Sequence, residues 1–124
     1  MSVSDESSKK FQKELNSGTV GLILLAIIEQ SKEPLYGYQI VKNLEQHAEN
    51  LPMMKQGALY PVLRSMETSG LLTSRVEPSV SGPPRKYYEI TPAGRQNLES
   101  WKKIWKDTSR IVNSVLSGGD NASH

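Results

Sequence analysis

From Gln56 to Gly94 the chain reads QGALYPVLRSMETSGLLTSRVEPSVSGPPRKYYEITPAG, and three changes of pattern within it decide the fold. Leu59, Val62, Leu63 and Met66 recur at the spacing of one helix face, so Gln56 to Ser69 predicts an amphipathic helix that Gly70 stops. The pattern then turns to short runs of strand character, Leu72 to Val76 and Lys86 to Ile90, with Leu72 and Val76 on one face and Tyr88 and Ile90 on one face. Between them lie Pro78 and Ser81-Gly82-Pro83-Pro84, which predict a long loop, too rich in proline for a two-residue turn, with its tip projecting from the body. Thr91-Pro92 restarts a helix, because a threonine oxygen caps free backbone donors and proline at the first helical position gives up no bond. Pro61 is tolerated only near a helix start, which places the start of the Gln56 helix near Gly57.

Working outward, Gly37 to about His47 repeats the helical spacing through Ile40, Val41, Leu44 and Ala48, with Gln39, Lys42, Asn43 and Gln46 on the other side. Val20 to Ile28 predicts a buried first core helix that Pro34 cannot extend. Before it, Phe11 and Leu15 sit four apart and suggest a helical start that Gly18 weakens, and Met1 to Ser8 reads as a flexible lead-in. After Thr91, the positions Leu98, Trp101, Trp105, Thr108, Val112 and Val115 step by three and four residues, a heptad seam with one polar position. Ile104, Ile111 and Leu116 widen it. The expected fold is therefore mostly α with a small β-hairpin: a winged helix-turn-helix over residues 18–91 and one long C-terminal dimerisation helix over 92–117. A flexible arm over 1–17 runs into a helix, and 118–124 form a disordered tail.

Composition narrows the function. The chain has 124 residues, 36% hydrophobic and 23% charged, suited to one soluble domain. The longest apolar run, Val20 to Ile28, falls short of a membrane span, and acidic Asp5 and Glu6 precede it, unlike a secretory signal. Without cysteine there is no disulfide or thiolate metal site, and a reducing cytoplasm is the expected location. Only His47 and His124 could serve a nucleophile or a metal, and no phosphate-binding glycine loop occurs, so no enzyme, cofactor or metal is expected. The net charge of +2 neither demands nor excludes nucleic acid, since a local patch is what binds phosphate.

Four segments, Leu35-Tyr36-Gly37-Tyr38, Ala58 to Leu63, Met66 to Leu72 and Arg85 to Gly94, in this order and spacing resemble the PadR family of transcriptional regulators. The short length, with one helix after the wing, is similar to the short subfamily that includes multidrug-sensing repressors. The resemblance implies a homodimer on duplex DNA, usually a repressor, sometimes released by a small aromatic ligand. Dimer geometry then calls for a pseudo-palindromic operator with half-sites about one helical turn apart.

Read from the residues, Lys55 and Gln56 at the start of the recognition helix suit phosphates and base edges, or are solvated polar residues; the family likeness favours DNA contact. The resemblance puts Tyr60 near the DNA backbone, against a purely packed role, and Arg64 follows one turn later on the same side. Tyr38, Gln39 and Lys42 lie where a helix crosses the backbone. Tyr36 reads as packing, with Gly37 permitting close helix approach. Arg85 and Lys86 flank the wing, whose tip departs from the arginine-rich family pattern. Leu98, Trp101, Ile104, Trp105, Val112 and Val115 are the expected dimer contacts. Trp101 and Trp105 are either dimer core alone or, as the resemblance implies for Trp101, also the stacking surface for a flat aromatic ligand. A winged-helix module that docks proteins without specific DNA binding stays open as the other reading.

Overall fold

A computed structural model describes residues 3–47 and 56–118. The elements run α1 (Val3–Gln30), β1 (Leu35–Tyr36), α2 (Gly37–His47), α3 (Gln56–Thr68), β2 (Leu72–Ser79), β3 (Gly82–Ile90) and α4 (Pro92–Leu116). This is the expected winged-helix architecture: a helical body, an antiparallel hairpin and a long last helix. No helix among the described residues is long and apolar enough to cross a membrane.

The core joins every helix and the base of the hairpin. Leu24, Leu25 and Ile28 of α1 meet Ile40, Val41 and Leu44 of α2, Leu59, Leu63 and Met66 of α3, Leu72 and Tyr88 of the hairpin, and Leu98 of α4. Each set lies at the helical or alternating spacing of its element, so burying one face of each builds a single core.

Two joints fix the directions of the chain. At the end of α3, the Leu71 N–H donates to the Met66 carbonyl (2.9 Å) and the Gly70 N–H to that of Glu67 (3.0 Å). Gly70 takes φ +82°, the left-handed conformation that such a helix stop requires. At the start of α4, the Thr91 hydroxyl accepts from the Gly94 N–H (3.0 Å) and donates to the Gly70 carbonyl (2.6 Å). Gly94 packs so tightly that a Cβ there would lie 2.2 Å from the Leu71 carbonyl oxygen.

The structure departs from the sequence reading at several places. Helix α1 is continuous over 28 residues, with no break at Gly18 and no lead-in ending at Ser8. A side chain at Gly18 would meet open space, so its cost is only conformational, about 1 kcal/mol. The neighbouring turns are tied by Lys10–Glu14, by the Gln12–Asn16 side-chain bond and by the Thr19 hydroxyl on the Leu15 carbonyl. Pro61 lies inside α3, five residues after its start at Gln56, rather than in the first turn, so the Gly57 carbonyl forgoes one helical bond.

The hairpin is longer than expected and closes on Val80-Ser81, with Ser79 paired to Gly82. Its register shifts between Glu77 and Ser79, where Pro83 and Pro84 together face Pro78. A bulge thus absorbs the three residues that have no N–H to give. Val76 is exposed, because the hairpin has left the body by that point. Strand β1, which the periodicity did not announce, pairs Leu35 with Tyr88 and Tyr36 with Tyr87, giving the sheet order β1-β3-β2. Leu98, read as a dimer contact, is instead 1% exposed within its own chain's core, since the pinned start of α4 lays that turn on α1 and the hairpin.

Candidate nucleic-acid interface

Helices α2 and α3 and the hairpin meet around a recess of about 320 Å³ lined by Tyr36, Gly37, Tyr38, Tyr60, Arg64, Arg85, Lys86 and Tyr88. Five of the residues singled out for DNA contact, Tyr38, Tyr60, Arg64, Arg85 and Lys86, are therefore brought together from three separate elements. Aromatic rings line it: Tyr36 stacks on Tyr38 at 6.4 Å, and Tyr87, outside the recess, backs Tyr36 edge-on at 5.4 Å. Cations sit on the Tyr36 and Tyr38 rings. The Arg85 guanidinium lies 4.5 Å from the Tyr36 ring centre, and the Lys42 ammonium 5.5 Å from that of Tyr38. Tyr38 first and Glu45 second hold the Lys42 ammonium above its ordinary pKa, so it stays charged.

The cations differ in what else holds them. Lys42 is shared with Glu45 at 3.6 Å, and Lys86 is gripped by Glu67 at 2.9 Å. Arg64 and Arg85 have no carboxylate partner among the described residues. A guanidinium that is not neutralised, presented beside phenol hydroxyls, is suited to phosphate oxygens.

Gln39 does other work than expected, because its side-chain oxygen accepts from the Tyr36 N–H at 3.0 Å. It reaches back over the start of α2 as the glutamine or glutamate three residues after the N-cap does in a capping box. Tyr60 combines both readings: it packs against the core and also lines the recess. Gly37 makes room for it, since a Cβ at Gly37 would lie 2.5 Å from the Tyr60 ring. Lys55 and the side chain of Gln56 lie outside the described residues. The sequence reading missed Tyr87 as the ring that backs Tyr36 and Glu67 as the partner of Lys86; only the pairing of β1 with β3 and the approach of α3 to the hairpin reveal them.

A second concavity involves another set of α3 residues, Ala58, Pro61, Val62 and Ser65. An open groove of about 1710 Å³ lies between the middle of α1, from Ser8 to Leu22, one side of α3 and α4, where Trp101, Ile104, Trp105 and Thr108 line it. Trp101 is partly buried on the core, and its ring stands 3.7 Å from where a Cβ on Gly21 would be. Trp105, Ile104, Ile111, Val112, Val115 and Leu116 remain exposed, as do Phe11 and Leu15 of α1.

A helix-turn-helix flanked by a cation-bearing hairpin is the arrangement of a winged-helix DNA-binding protein. Residues 24–100 match the Transcriptional regulator PadR-like family, and the chain belongs to that family of DNA-binding transcriptional regulators. Among solved structures it is similar to a PadR family transcriptional regulator from Eggerthella lenta, at 32% identity and a TM-score of 0.76, covering 90% of this chain and 94% of that one. A PadR-like transcriptional regulator from Bacillus cereus is 34% identical, with a TM-score of 0.69 over 83% of this chain and 96% of that one. A transcriptional regulator of Mycobacterium tuberculosis is 32% identical over 78 residues, 63% of this chain and 69% of that protein.

Proposed function

We propose that the protein is a cytoplasmic homodimeric repressor that binds a pseudo-palindromic operator. Arg64 and Arg85 contact the DNA backbone, and Tyr38, Tyr60 and Lys42 position the module. The observation that carries this reading is the recess itself, lined by Arg64 of α3 and Arg85 of the wing together with tyrosine rings, neither guanidinium having a carboxylate partner among the described residues. Lys55 and Gln56 precede and open α3, the element that enters the major groove in such modules, and are its candidate base or phosphate contacts.

The dimer contact in this reading is the apolar face of α4 beyond Trp101, completed by Phe11 and Leu15 of α1. Ile104, Trp105, Val112 and Val115 are its main side chains, and a second copy would cover them. Trp101 and Trp105 line the groove beside that face, and a planar aromatic ligand stacking there would release the DNA by changing how the two copies cross.

Fluorescence anisotropy on duplexes from the protein's own upstream region, at several salt concentrations, tests the DNA reading. The expected result is binding that weakens steeply with salt and exceeds that to scrambled DNA by ~1000-fold or more. Arg64→Ala with Arg85→Ala should lower affinity for both duplexes and flatten the salt dependence by about 2 in log–log slope. Equal affinities of the wild type for the two duplexes, unchanged by the double substitution, would favour a winged-helix module that docks a protein instead.

A further inference from the structure

Glu67 stands in the last turn of α3, where a carboxylate faces the negative end of the helix dipole. It also stands beside a surface read as phosphate-binding, where a negative charge repels the ligand. On both grounds it is unfavourable unless something in the fold uses it. Its two oxygens are divided between the two strands of the hairpin: one accepts from the Ser74 hydroxyl of β2, the other meets the Lys86 ammonium of β3 at 2.9 Å.

Those two strand residues are diagonal neighbours, since Ser74 pairs with Tyr88 and Lys86 with Val76. This is where the hairpin leaves the body: Leu72 and Tyr88 are buried on the inner side, and Val76 is exposed on the outer. Among the described residues, Glu67 makes the only side-chain hydrogen bond or ion pair between α3 and the hairpin. Lys86 is held from a second direction by the Tyr88 ring, 5.4 Å away. The Ser74 bond and then the Lys86 contact hold the Glu67 carboxyl below its usual pKa, as expected of a carboxylate used in its charged form.

We propose that Glu67 is a positioning residue for DNA binding: its carboxylate clamps both wing strands to the recognition helix, with Lys86 as the structural cation of the clamp instead of a phosphate ligand. The proposal rests on the DNA-binding reading above. By setting the angle of the wing against α3, the clamp brings Arg85 and Arg64 to one recess. The two charges then act as one unit, and removing either leaves the other without its partner.

The test uses the full chain as Glu67→Gln, Lys86→Met and the double variant, each first shown by circular dichroism to melt cooperatively. Affinity is read on a duplex that the wild type selects from a random-sequence pool and on a scrambled duplex of equal length, and amide exchange of residues 74–88 is read without DNA. The clamp predicts that each single variant weakens selected-duplex binding by on the order of fivefold and that the double variant weakens it no further. It also predicts that none of the three weakens scrambled-duplex binding or changes its salt slope, and that all three lose wing amide protection. The proposal is overturned if Glu67→Gln tightens and Lys86→Met weakens binding to both duplexes additively, with the salt slope of the latter falling by about 1, for then the two are independent charges. If the wild type selects no sequence, the DNA reading fails, and amide exchange alone judges the clamp: shared loss of wing protection upholds it, unchanged protection overturns it.

Discussion

Helix α4 is one uninterrupted rod, yet Leu98 in its second turn is 1% exposed while Val115 near its end is 72% exposed. Both are apolar positions of the same heptad seam, and the seam alone does not distinguish them. What differs is how the chain meets the helix. The Thr91 cap, the Gly70 carbonyl and the close seat of Gly94 on Leu71 press the first turns onto the body. Beyond Trp101 the apolar side chains Ile104, Trp105, Ile111, Val112, Val115 and Leu116 stay exposed among the described residues. Apolar periodicity therefore marks a face suited to burial, and the local joints decide how much of it the body of the same chain covers.

The comparison is broken most severely at the pinned end. Gly94→Ala forces a Cβ into the Leu71 backbone, which cannot move without disturbing the α3 stop, and should cost about 3 kcal/mol in urea unfolding. Leu98→Ala should cost about 3 kcal/mol by cavity formation, with an unfolding midpoint shift that does not depend on protein concentration. The exposed end should behave in the opposite sense. Ile111→Ser with Val115→Ser should leave the fold of the chain intact and weaken self-association by about 1–3 kcal/mol, seen as a monomer at micromolar concentration in sedimentation velocity. If those two substitutions unfold the protein without altering its oligomeric state, the distinction between the two ends of α4 is wrong.

The smallest effect concerns pH. The folded pKa of Glu67 lies below its ordinary value of 4.5, chiefly through Ser74 and then Lys86. Its contribution is thus fully present above 4.5 and is lost as pH falls through the folded value. Lys86 is shifted upward from 10.5, chiefly by its bond to Glu67, so its contribution is full below 10.5 and is lost as pH rises through the folded value. Wing amide protection should be flat across neutral pH and decline on the acid side below 4.5, and Glu67→Gln should flatten that acid limb.

The parts of the fold legible in the sequence are those written in local terms. Helices α2 and α3 follow from their apolar period, the α3 stop from Gly70, and the start of α4 from Thr91-Pro92. What stayed hidden depends on residues distant in sequence. A two-residue strand such as β1 has no period to read and exists only because Tyr87 and Tyr88 lie beside it. The proline-rich segment resembled an open loop because a bulge, which lets Pro83 and Pro84 face Pro78, leaves no local signature. The same limit applied at the candidate site. Arg64 and Arg85 could be picked out by type and by likeness to a family, whereas the commitment of Lys86 to Glu67 and of Gln39 to the start of α2 required the assembled chain.

The order β1-β3-β2 leaves two outer edges on the sheet, and neither suits strand addition. On one side β1 is only two residues long, too short to template a partner strand. On the other, β2 carries Pro78, which offers no N–H, and Arg75 and Glu77, whose charges are already tied to each other and, for Arg75, to Glu89. Such edges resist edge-to-edge aggregation. Pairing of one wing with another through these edges is thereby disfavoured.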